Sequence, residues 1–245
     1  MHIYLAAAPS HRKAASAHTA SLVHIAYRIG EHSTLLRQDV PAQGGLLCIG
    51  DPDRPAIPDV EKLCAAVLRE CKRQNFTGIV LDFDPPISPD RCAFIRRLDV
   101  LRGDLALYIP RSCAADAPKA VLLTGSAISG GDFRTYLSEL KGKKRAFALD
   151  VERLRMDFPL PCPSGIGTAL SHEELSRRMP SATFFSRELC ARYFTYQENG
   201  QHHFVLFDDA ETLNQKIRIA REVGFTAAFF SWPEVKDIAP QILWE

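Results

Sequence analysis

The sequence predicts an α/β protein folded as a compact (β/α)8 TIM barrel, and two observations predict it. Eight short apolar runs, at 3–8, 22–27, 45–49, 78–83, 105–110, 120–124, 146–151 and 226–232, are spaced along the 245 residues. Amphipathic stretches at 60–73, 89–100, 132–140 and 208–223 stand between the later runs. Strands alternating with helices build a parallel sheet wrapped by helices, and eight such units in about 250 residues match a barrel. The reading is of a single domain, 1–245, with no internal repeat, low-complexity tract or linker.

Each element has a local reason. Met1-His2-Ile3-Tyr4-Leu5-Ala6-Ala7-Ala8 lacks a basic leader and reads as the first strand rather than a signal peptide, so a cytoplasmic protein is expected. The third strand, Leu46-Leu47-Cys48-Ile49, carries cysteine as a small hydrophobe. The last helix has Asp208 as its expected N-cap, Glu211 in the reciprocal capping position, a Leu213/Ile217/Ala220 stripe and Gly224 past its end. Before it, two apolar runs flank Glu198-Asn199-Gly200, and Asn-Gly is a strong hairpin signal. A small hairpin insertion, at about 170–207, is therefore expected between strand seven and helix seven. Pro159-Leu160-Pro161-Cys162-Pro163-Ser164-Gly165 is expected to be loop.

Composition narrows the function. With 30 Lys and Arg against 29 Asp and Glu, the chain has no electrostatic footprint for nucleic acid or an anionic membrane surface. No apolar run approaches the ~20 residues of a membrane span, so no membrane insertion is expected. Seven cysteines form no C-x-x-C, and eight histidines form no H-x-x-x-H, so neither a metal nor a cofactor is expected. The run Gly125-Ser126-Ala127-Ile128-Ser129-Gly130-Gly131 lacks the lysine of a phosphate loop, and Ser126 lacks a G-x-S-x-G elbow.

The chemistry concentrates in Phe76-Thr77-Gly78-Ile79-Val80-Leu81-Asp82-Phe83-Asp84-Pro85-Pro86. Alternate residues of a strand share a face, so Asp82 and Asp84 project together from the mouth of the fourth strand. Paired carboxylates at that end of a barrel strand suit acid–base work. Leu149-Asp150-Val151-Glu152 ends the seventh strand in the same way, making Asp150 a second mouth candidate, while Glu152 is expected to pair with Arg153 or Arg155 in solvent. A hard-cation site among these acids is the alternative use of the same groups. Tyr27, Tyr108 and Arg111, near the ends of strands two and five, are candidate substrate-binding residues.

These residues resemble the family 18 glycoside hydrolases, particularly the spore-associated, cortex-lytic branch. That family carries D-x-x-D-x-D-x-E at the end of barrel strand four, and here Phe76, Gly78, Ile79, Asp82 and Pro86 keep the frame. The stretch from Leu170-Ser171-His172-Glu173-Glu174-Leu175 through the hairpin and Lys216 to Phe230-Ser231-Trp232 is similar to the C-terminal third of the spore branch. The resemblance implies N-acetylglucosamine-containing glycans, peptidoglycan or chitin-like, as ligands. It implies Asp84 as general acid, where the family has glutamate, Asp82 as the carboxylate that orients the acetamido group, and Trp232 as the floor of a sugar subsite. The motif is degenerate: Thr77 and Val80 replace its first two aspartates, and Leu123-Thr124-Gly125-Ser126 lacks the strand-six tyrosine and aspartate. The alternative implied is a catalytically silent barrel that binds glycan or protein.

Overall fold

The computed structural model describes residues 1–19, 21–38, 42–142 and 145–244. In chain order its elements are β1 (His2–Ala7), α1 (Arg12–Ala15), β2 (Leu22–Gly30), β3 (Thr34–Arg37), β4 (Leu46–Gly50), α2 (Val60–Gln74), β5 (Gly78–Asp82), α3 (Pro89–Leu101), β6 (Ala106–Pro110), β7 (Val121–Gly125), α4 (Phe133–Lys141) and β8 (Phe147–Val151). They continue with β9 (Arg155–Leu160), β10 (Thr168–Ala169), α5 (His172–Arg178), β11 (Phe184–Ser186), β12 (Ala191–Glu198), β13 (Gln201–Phe207), α6 (Ala210–Val223), β14 (Ala227–Ser231) and α7 (Trp232–Val235).

Eight parallel strands close into a barrel in the order β1-β14-β8-β7-β6-β5-β4-β2, with β2 returning to β1. The short β3 runs antiparallel along Tyr27–Gly30, above the three-residue stretch where β1 pairs with β2. Side-chain alternation divides the core into two layers. Val23, Leu46, Cys48, Val80, Tyr108, Ala148, Ala227 and Phe229 fill the lumen. The opposite faces of the strands, among them Leu47, Ile49, Ile79 and Leu81, pack outward against the helices.

The helical layer is carried by the four helices read from the sequence. α2 shows why they form where they do: Asp59 caps it by accepting from the Lys62 N–H at 2.9 Å, Leu63, Cys64, Val67 and Cys71 line its buried face, and left-handed Asn75 ends it. Between β2 and β4, and between β6 and β7, a single helical turn or a strand replaces a full helix.

The insertion between β8 and α6 contains the expected hairpin, β12–β13, turning at Asn199 and Gly200 with φ of 50° and 79°. That hairpin is the centre of a five-stranded antiparallel sheet in the order β10-β9-β13-β12-β11. One expectation fails here, because Pro159 and Leu160 lie in β9 rather than in loop. Pro159 stands opposite His203, beyond the end of β10, which pairs only Met156 and Asp157, so its missing N–H leaves no ladder position empty.

The start of α6 is also one residue later than expected. Asp209 is its N-cap, in a capping box with Thr212. Asp208 instead turns inward, where its Oδ2 takes the Lys216 ammonium at 2.7 Å and the Leu154 N–H at 3.0 Å. Both side chains of this ion pair are fully buried, and it ties the root of the insertion to α6.

Candidate active site at the mouth of the barrel

The inward face of β5 runs from Val80, in the lumen, to Asp82 at the rim, and continues to Asp84 in the following turn. Asp82 and Asp84 line one open cleft of ≈ 630 Å³ together with Arg28, Gly50, Asp51 and Pro52. The cleft follows from strand register. Arg28, Gly50 and Asp82 lie side by side on β2, β4 and β5, and a Cβ on Gly50 would meet nothing closer than 3.9 Å. The missing side chain keeps open the space between the arginine and the acid.

Asp150 reaches the mouth from β8, in register with Gly125 of β7 and Phe229 of β14. Glu152 follows it on the same face. A Cβ on Gly125 would stand 2.8 Å from the Glu152 Oε2, so this glycine makes room for the carboxylate. The expected pairing of Glu152 with Arg153 or Arg155 does not form, since Arg153 pairs with Asp237 at 2.6 Å and Arg155 with Glu234 at 2.6 Å. Ser126, fully buried, clamps the turn by donating to the Glu152 carbonyl at 3.2 Å and accepting its N–H at 3.1 Å.

Four carboxylates thus share the mouth, and none forms an ion pair with a described residue. Asp82 and Asp150 are open to solvent through the mouth and enclosed by protein on the other sides. That enclosure raises the Asp82 carboxyl above its ordinary value, with the Asp84 charge adding to the rise. Asp150 is pushed up to about 6 by burial first, then by Glu152 and Asp82. Asp84 is exposed, and its carboxylate accepts no hydrogen bond from a described residue. Its backbone carbonyl is fixed instead, accepting from Arg54 at 3.0 Å. Among the described residues no group of three or more His, Cys, Asp or Glu is arranged to hold a metal ion.

The remaining sequence candidates fall outside this cleft or beneath it. Tyr27 contributes to the cleft wall, but a bulge between Ile25 and Tyr27 shifts the register of β2, turning its phenol outward to donate to Glu70 at 2.8 Å. The same shift brings Arg28, which plain alternation would have turned away, to the inward face. Tyr108 is buried in the lumen below the mouth, its ring against Phe229 at 4.8 Å and edge-on to Tyr4 at 6.3 Å. Arg111 points along the outside of the wall, 3.4 Å from the Thr124 hydroxyl. Trp232 is 7 % exposed and packs in the outer core, its ring 5.6 Å from that of His18. On β14 the inward positions are Ala227 and Phe229, which leaves Phe230 and Trp232 outward, so Trp232 does not floor the mouth.

Sequence reading missed Arg28, Gly50, Asp51 and Arg54. Asp51, one residue past the end of β4, was the most detectable, because the end of a barrel strand is where such residues stand. The role of Gly50 depends on strand register, which the sequence does not display.

Comparison with known proteins finds no matching family model and no matching curated protein. Solved structures do match. The spore cortex-lytic enzyme SleL of Bacillus cereus superposes with a TM-score of 0.67 at 15 % identity, over 100 % of this chain and 75 % of that one. A mutant of a class V chitinase from the plant Cycas revoluta, in complex with (GlcNAc)3, superposes with a TM-score of 0.66 at 12 % identity, over 100 % and 98 %. The putative sporulation-specific glycosylase ydhD of Bacillus subtilis gives 0.59 at 16 %, over 84 % and 90 %. The chain therefore has the (β/α)8 fold of the spore cortex-lytic enzymes and GH18 chitinases, the group its sequence resembles.

Proposed function

We propose that the mouth of this barrel is a glycan cleft for polymers of the N-acetylglucosamine class, with Asp84 as the acid that meets the glycosidic oxygen. Asp82 then meets the nitrogen substituent at C2 of the same sugar. One observation carries the reading: both carboxylates of the strand-four motif open into one cleft of ≈ 630 Å³ at the C-terminal end of the barrel. Such a cavity suits a small ligand, and in barrels that end is where substrates bind. The likeness to glycan-bound and cortex-lytic neighbours supports the ligand class.

Protonation in such a mechanism is supplied by carboxyls whose surroundings resist ionisation. Asp82 and Asp150 have such surroundings, and Asp82 adjoins Asp84, so a proton held in this group is available at the rim. Asp84 is one methylene shorter than glutamate, a recession of roughly 1 Å that lowers the rate by about 100-fold where chemistry is limiting. A second reading, binding without cleavage, is favoured by the absence of any hydrogen bond from a described residue to the Asp84 carboxylate.

The test compares cleavage of chitooligosaccharides and muropeptides by the wild type, Asp84→Glu and Asp84→Asn. Activity in the wild type that disappears in Asp84→Asn supports the enzyme. Activity appearing only in Asp84→Glu supports the binding module, and no binding of either glycan by any of the three overturns the glycan reading.

A further inference from the structure

We propose that the pocket between β3 and α2 is a binding site for a phosphate dianion, free or carried as a monoester, held by Arg37, Arg69 and Arg73. The proposal does not rest on the glycan reading above.

Placement supplies the first argument. The pocket has a volume of ≈ 330 Å³, and its charged lining is Arg37 from β3 with Arg69, Glu70 and Arg73 from α2. Arg69 and Arg73 stand one helical turn apart and so share a face. Ala66, a turn earlier on that face, is short and leaves room beside them.

Charge supplies the second. Glu70 is buried, and its Oε1 accepts from the Tyr27 phenol at 2.8 Å and from Arg37 at 3.4 Å, while its Oε2 pairs with Arg73 at 2.5 Å. Burial works against its ionisation, but hydrogen bonds from Arg73 and Tyr27 outweigh that and hold its carboxyl below the ordinary value. One carboxylate thus gathers two guanidiniums and neutralises the charge of one. Arg69 forms no hydrogen bond or ion pair with a described residue. Three cations against one anion leave an excess of two positive charges in the pocket. Like charges one turn apart destabilise a helix, a cost that a bound anion removes.

Hydrogen-bonding capacity supplies the third. A guanidinium has five N–H donors and no acceptor. Arg37 and Arg73 each commit one terminal nitrogen to Glu70, which leaves their other donors, and all those of Arg69, without an acceptor among the described residues. A carboxylate would neutralise one of the two excess charges, whereas a phosphate dianion neutralises both and presents more oxygens to the planar forks. The excess is confined to one pocket of a chain whose net charge is only +1, so a small phosphate fits and a nucleic-acid backbone does not. Tyr27 and Arg37 also line the barrel cleft, so the organic part of a monoester has space beside its phosphate.

The experiment follows the side-chain N–H signals of Arg37, Arg69 and Arg73 by NMR. The wild-type protein is titrated at constant ionic strength with inorganic phosphate and, in parallel, with N-acetylglucosamine 6-phosphate. The proposal expects saturable shifts concentrated in these three residues and binding about tenfold weaker in Arg69→Gln. It expects unchanged binding in Lys72→Gln, because Lys72 is exposed on the same helix but is not part of the pocket. Arg69 is exposed and makes no contact that holds the fold, so its variant tests binding rather than folding. Tighter binding of the ester identifies an esterified phosphate as the ligand, and equal or tighter binding of inorganic phosphate identifies the free ion. Shifts that do not saturate, an affinity unchanged in Arg69→Gln, or equal weakening by Lys72→Gln overturns the proposal.

Discussion

The root of the insertion and the mouth of the barrel both gather carboxylates, and they treat them in opposite ways. At the root, Asp208 is fully buried and matched by Lys216, the Leu154 N–H and the Thr212 hydroxyl. Within the inserted sheet, Asp157 accepts from Tyr196 at 2.7 Å, Arg178 at 3.2 Å and His203 at 3.0 Å. At the mouth, Asp82, Asp84, Asp150 and Glu152 stand close to one another, and none of them is ion-paired with a described residue. Acids that hold the fold together have their charge and lone pairs satisfied from within the chain. Those at the mouth do not, at a cost in mutual repulsion that the fold tolerates.

The largest effect is expected where matching is complete. Lys216→Met leaves the Asp208 charge buried without its cation, which destabilises the protein by about 3–5 kcal/mol in urea unfolding. Adding Asp208→Asn recovers part of that loss. A single variant that costs less than about 1 kcal/mol would remove the contrast, because the pair would then not depend on mutual compensation.

At the mouth the sign reverses. The Asp150 carboxyl, raised from 3.8 to about 6, stays protonated in the folded chain while the unfolded chain ionises, so its contribution to stability falls as pH climbs through that window. Asp150→Asn removes this penalty. The variant is expected to be more stable than the wild type by about 1 kcal/mol at neutral pH, the full shift being discounted because the group is open to water. Below pH 3.8 the two proteins should unfold alike, since both folded and unfolded Asp150 are then protonated. A destabilised variant at neutral pH would count against an uncompensated mouth.

The smallest effect belongs to Arg28. Its partnership with Asp53 is solvent-exposed on both sides, so Arg28→Gln should change stability by no more than about 0.5 kcal/mol. A larger loss would mean that the cleft's cation is structural and that the mouth is less one-sided than its register implies.

Much of this was readable from residue order. Eight apolar runs and four amphipathic stretches marked the barrel strands and helices, because burial writes its periodicity into each element. Asn199-Gly200 marked its hairpin because both residues adopt positive φ there. The carboxylates of β5 and β8 were readable because alternation carries a lumen residue to a rim residue two places on. Alternation failed at β2, where one bulge exchanged the faces of Tyr27 and Arg28, and at Trp232, which lies on the outward side of β14. His203 is stacked on Tyr196 at 4.6 Å and bonded to Asp157, because β9 pairs beside the hairpin. Contacts that depend on which strands become neighbours leave no trace in a local pattern.

Carboxyl-carbon NMR titration of Asp150, in the wild type and in Asp82→Asn, tests most directly whether the mouth acids act on one another without an ion-pair partner. The account predicts a wild-type midpoint of about 6 that moves lower once the Asp82 charge is removed. A midpoint at the ordinary aspartate value of about 3.9, unmoved by the substitution, would contradict it.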